Sequence, residues 1–117
     1  MLQTVVELPE FIKKSRLLFN ESEARALIAH LAEHPTSGDL MQGTGGVRKL
    51  RWAREGRGKS GGARVIYYFH SERIPLYLLT AFGKGEKANL SPTERAKLAD
   101  LAQILKQSVP PEQGEKR

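Results

Sequence analysis

Residues 47–70 read VRKLRWAREGRGKSGGARVIYYFH, two runs of alternating apolar residues separated by a basic, glycine-rich stretch. In the first run Leu50 and Trp52 share one face of a strand, while Lys49, Arg51 and Ala53 share the other. In the second, Val65, Tyr67 and Phe69 alternate with Arg64, Ile66, Tyr68 and His70. The intervening REGRGKSGGA has the composition of a long hairpin connection. If Leu50, Trp52, Val65, Tyr67 and Phe69 turn toward a core, the period of two forces Lys49, Arg51, Arg64 and Tyr68 together onto the opposite face.

The charge of the chain is concentrated in the same place. Nineteen Lys and Arg stand against thirteen Asp and Glu in 117 residues, a formal net charge of +6. Between Arg48 and Arg64 there are seven bases and a single acid, Glu55, so this segment alone carries an excess equal to that of the whole chain. Basic side chains beside an aromatic ring suit a single-stranded nucleic acid, the cations meeting phosphates and the ring stacking on a base. Glycines at the hairpin tip would let Arg57 and Lys59 wrap onto such a strand. The plain alternative is a solvated edge whose charges only discourage strand-to-strand association. That alternative does not explain a base at Arg64, beside the buried interior of its strand.

Outward from the hairpin, QTVVEL near the start alternates as a short strand, and EFIKKSRLLF after Pro9 has loosely helical spacing. Asn20 with Glu23 three residues on is a capping box ahead of ARALIAHLAEH, whose apolar face is Ala24, Leu27, Ile28 and Leu31 and which Pro35 stops. IPLYLLTAF is almost continuously apolar, as in a well-buried strand. It leaves through FGKGEK, whose Lys84 and Lys87 would stand close to the basic face if this strand neighbours the hairpin. Ser91, Pro92 and Glu94 open a last helix with an apolar stripe of Leu98, Leu101, Ala102 and Leu105. The expected order is β-α-α-β-β-β-α in one α+β domain over residues 1–108, with 109–117 a frayed tail.

Several chemistries find no support in the sequence. Without cysteine there is no disulfide framework or thiolate metal site. His30 and His34 lie four apart on one helical face but lack a third ligand at suitable spacing. No phosphate-binding glycine loop or Ser-His-Asp pattern can be assembled, so neither metal nor cofactor is expected. An apolar run of eighteen residues and a secretory leader pattern are both absent, which predicts a soluble cytoplasmic protein with no membrane partner.

The stretches GTGGVRKLRWAREGRGKSGGARVIYYF and LYLLTAFGKGEKANLSPTERAKL resemble the RelE/ParE superfamily of bacterial type II toxins, nearest its HigB-type RelE branch. The resemblance implies a RelE-like fold: a small, mainly antiparallel sheet with two N-terminal helices on one face, and a C-terminal helix. It implies a ribosome-dependent endoribonuclease that cuts messenger RNA in the A site and is held inactive by a cognate antitoxin protein. Carried over, it matches Lys49 and Arg51 to the family's basic pair, Arg64 to the arginine opening the next strand and Lys84 to the exit turn, with Arg51, Arg64 and Lys84 catalytic; from the hairpin and turn themselves, Arg57, Lys59, Tyr68 and Lys87 are expected to join Lys49 in binding RNA. Some relatives carry a tyrosine after the exit turn where this chain reads Ala88-Asn89-Leu90, so any stacking would fall to Tyr68. A ParE-like inhibitor of DNA gyrase and a non-catalytic nucleic-acid binding module are the alternatives.

Overall fold

The computed structural model describes residues 2–54, 58–87 and 89–107, with the backbone alone at 54 and 58–61. Eight elements follow one another: β1 (Val5–Glu7), α1 (Pro9–Leu18), α2 (Glu21–Glu33), β2 (Asp39–Leu40), β3 (Val47–Arg54), β4 (Gly58–Tyr68), β5 (Leu76–Gly83) and α3 (Pro92–Gln107). The described strands form one five-stranded sheet in the order β1-β5-β4-β3-β2. β1 runs parallel to β5, and the other neighbours are antiparallel.

The hairpin carries the predicted faces. Leu50 pairs with Val65, Arg51 with Arg64 and Lys49 with Ile66. Ala63, Val65 and Tyr67 join Phe11 and Phe19 from the α1 segment and Leu27 and Leu31 of α2 in one buried cluster, with Leu50, Trp52 and Phe69 packed against it. α2 starts at the expected capping box: the Asn20 side chain accepts from the Glu23 N–H at 2.7 Å, and the Glu23 carboxylate accepts from the Asn20 N–H at 2.8 Å. α3 opens the same way on Ser91 and Glu94. In α1 the loose spacing leaves Leu17 exposed and turns Ser15 inward.

Three features depart from the sequence reading. Most of the presumed connection is strand, because β3 and β4 stay paired as far as Arg54 opposite Gly58, with a break of register after Trp52. The glycines and small polar residues there have no apolar alternation to betray a strand. The two-residue β2 adds an edge beside β3, Asp39 opposite Lys49 and Leu40 opposite Arg48. Most consequential, α3 lands on the face opposite α1 and α2. Its Ala102 is buried with Met41, Val47, Ile66, Tyr68, Leu79 and Phe82, while Leu98, Leu101 and Leu105 pack against them. The face expected to carry Lys49, Arg51 and Arg64 beside an open Tyr68 is thus divided, part covered by α3 and part left to the cations.

Candidate active site

The uncovered part is a cavity of about 520 Å³ lined by Ser37, Asp39, Lys49, Leu50, Arg51, Arg64 and Asn89. Its floor is the β3–β4 ladder, where Arg51 and Arg64 stand directly opposite each other. Like charges in that relation repel, about 5 Å apart at the backbone, and fold stability gains nothing from them. Arg51 reaches solvent. Arg64 does not: it is 8% exposed, and its buried Nη1 has no hydrogen-bond partner. No carboxylate lies within 4.0 Å of either guanidinium among the described residues. A buried cation is normally paired or costly, and a planar guanidinium with donors to spare is the group that best matches a phosphate.

Lys49, one step along β3, sends its Nζ to the Asn89 side-chain oxygen at 3.3 Å. Asn89 stands just before α3, so that contact ties the sheet floor to the far wall. The near wall is the segment after α2, held by side chains from the other face of the hairpin. The Tyr67 hydroxyl donates to the Pro35 carbonyl and accepts from the Gly38 N–H, both at 2.8 Å. Burial pushes the Tyr67 phenol upward, keeping it a neutral donor. Arg48 donates to the carbonyls of Gly38 at 2.8 Å and Thr36 at 3.2 Å. Arg48, the first base of the hairpin, is therefore a structural strut. Ser37 meets His30 Nε2 at 3.0 Å, which spends His30 on the wall, its ring 5.3 Å from Trp52 and 5.1 Å from His34. No group of three or more His, Asp or Glu among the described residues is placed to hold a metal ion.

The structure therefore brings together Lys49, Arg51 and Arg64. Lys84 is exposed in the turn after β5, its N–H facing the Gly62 carbonyl, and it is outside the cavity lining. Lys87 is paired with Glu94 and sits 5.0 Å above the Phe82 ring, lining a separate groove between α1 and α3. Arg57 lies outside the described residues, as does the side chain of Lys59. Tyr68 keeps the predicted face but is fully buried beneath the α3 side, where its hydroxyl has no partner and burial raises its pKa. Its ring is not open to a base; the apolar stripe of α3 reveals a buried face but not which side of the sheet will receive it. Asp39, Ser37 and Asn89 escaped sequence reading, because they reach the cavity through a two-residue strand and two loops that carry no periodicity.

Residues 11–112 match the family model described as the RelE toxin of the RelE/RelB toxin-antitoxin system. Among solved structures, a double arginine-to-alanine mutant of E. coli toxin RelE in the free state is similar with a TM-score of 0.57 and 18% sequence identity, covering 83% of this chain and 97% of that one. At that identity the likeness bears on the fold, and it agrees with the α+β architecture described above. The family model spans both the cation-lined hairpin and α3, and on that match the chain belongs to the RelE toxin family.

Proposed function

We propose that the protein is the toxin of a toxin-antitoxin pair and that it arrests translation by cutting messenger RNA in the ribosomal A site, without a metal ion. The observation that carries this reading is Arg64, a nearly buried arginine with an unpartnered nitrogen at the floor of a cationic cavity. Attack of a ribose 2′-oxygen on the adjacent phosphorus gathers negative charge on the phosphoryl oxygens, and preset cations stabilise that charge more than the ground state. Arg64 and Arg51 take this role from neighbouring strands. Lys49, inside the cavity, is better placed than Lys84 to protonate the leaving 5′-oxygen, and Lys84 with Arg57 and Lys59 serves the flanking phosphates. A cognate antitoxin restrains the enzyme, and the ribosomal target places its action in the cytoplasm.

The test is a cell-free translation reaction with a defined message, its RNA ends mapped by primer extension, run beside naked message and the Arg64→Ala variant. Cuts in the translated message alone, reduced about a hundredfold or more in the variant, are the expected result, in line with loss of one charge-stabilising donor. Uncut message from a protein that still stops growth would overturn the reading and point to gyrase.

A further inference from the structure

We infer that Asp39 is a catalytic residue of this site, the carboxylate that takes the proton from the attacking 2′-hydroxyl. The inference rests on the ribonuclease reading and assigns the step that reading leaves open. The cavity lining holds three cations, two neutral polar side chains, one leucine and Asp39. Guanidinium groups stay protonated at any accessible pH and accept nothing. A carboxylate is ionised at neutral pH and accepts readily. Among the described residues, Asp39 is the one carboxylate lining the cavity.

Its surroundings distinguish it from a charge that merely balances its neighbours. Asp39 stands directly opposite Lys49 on the β2–β3 ladder, where opposite charges ordinarily pair. Here the Lys49 ammonium is drawn to Asn89 on the far wall, and among the described residues no cation lies within 4.0 Å of Asp39. The carboxylate is also exposed. Carboxylate and ammonium are thus left unpaired, the one at the β2 edge of the cavity and the other turned to Asn89. The backbone beneath Asp39 is fixed by Tyr67 and Arg48 through Gly38, so the group is presented on a braced segment.

In the step, the 2′-O–H proton passes to the Asp39 carboxylate as the 2′-oxygen bonds to phosphorus. The bond from phosphorus to the 5′-oxygen breaks, and that oxygen leaves with a proton from Lys49. The products are a 2′,3′-cyclic phosphate and a 5′-hydroxyl, with no electrons exchanged and no outside co-reactant. The proton on Asp39 then returns to solvent and Lys49 regains one.

Single-turnover cutting on programmed ribosomes at saturating toxin is measured for wild type, Asp39→Asn and Asp39→Glu. Binding is measured in parallel with a message carrying a 2′-O-methyl group at the cut nucleotide, and each variant is checked by thermal melt. Removal of a general base is expected to slow cutting about a hundredfold or more. Binding by Asp39→Asn should be equal or tighter, because a negative charge has left a cationic pocket, and Asp39→Glu should recover most of the rate. Cutting by Asp39→Asn within about threefold of wild type overturns the inference, leaving Asp39 a balancing charge. Parallel loss of binding and cutting in a natively melting Asp39→Asn also overturns it. If wild type itself leaves the message intact, the ribonuclease reading fails first and the inference falls with it.

Discussion

Replacing Arg64 with methionine should make the protein more stable and less active at once. The guanidinium is 8% exposed, faces Arg51 across the ladder and leaves Nη1 unpartnered. An unsatisfied buried donor costs about 1–3 kcal/mol, and the methionine stem can occupy the path of the arginine methylenes while removing that cost and the repulsion. Offset by imperfect packing, the net gain should be about 1–2 kcal/mol, near the usual range for relieving strain at a functional site. For a domain of this size that is roughly 4–8 °C in melting temperature. The assay is a reversible urea or thermal melt of both proteins, followed by the translation cleavage assay. A methionine variant that melts lower than wild type would refute the argument, since it would mean that the arginine holds the fold. Full cleavage by a more stable variant would refute its functional half.

Two further predictions concern the frame around the site. Tyr67→Phe removes the hydroxyl that joins Pro35 and Gly38, at an expected cost of about 1–3 kcal/mol in urea melts. The Gly38 amide should then exchange hydrogen faster than in wild type, and unchanged exchange would mean that Arg48 alone braces the wall. Glu94 accepts a hydrogen bond from Lys87 and another from the Ser91 N–H, and these hold its carboxyl below the ordinary 4.5. Its folded pKa lies below the unfolded one, so its stabilisation is complete above about pH 4.5 and is lost as pH falls through the folded value. Melts of wild type and Glu94→Gln should therefore differ at pH 6 and converge in acid; a difference that persists in acid would show that the carboxylate charge is not its source.

How much of this could be read from sequence depended on whether a residue's place was set locally. The capping boxes at Asn20 and Ser91 are contained within four residues, so helix starts were plain. Period-two alternation put Arg51 and Arg64 on one face, and the ladder then fixed them as partners. Asp39 and Asn89 reach the same cavity from segments fifty residues apart with no pattern of their own. Their part was invisible until the chain closed. The alternation puts Tyr68 on the correct face, yet its exposure depends on α3, whose amphipathic stripe fits either side of a sheet equally well. Lys87 read as a free base because its partner Glu94 belongs to the next helix.

The parallel pairing of β1 with β5 has a bearing on how the molecule comes into being. Val5 lies against Leu76 and Glu7 against Leu78, so β1 can find its neighbour only after some seventy more residues have been made. β3 and β4 pair residues close together in the sequence and can form early, whereas joining β1 to β5 carries the larger loop-closure entropy. Phe11 and Phe19 share one buried cluster with Leu76, Leu78 and Ala81 of β5, so that core cannot seal before β5 appears. During synthesis the arginine floor should therefore take shape before the body that supports it, and a chain truncated before β5 should carry the cations without a stable enzyme beneath them.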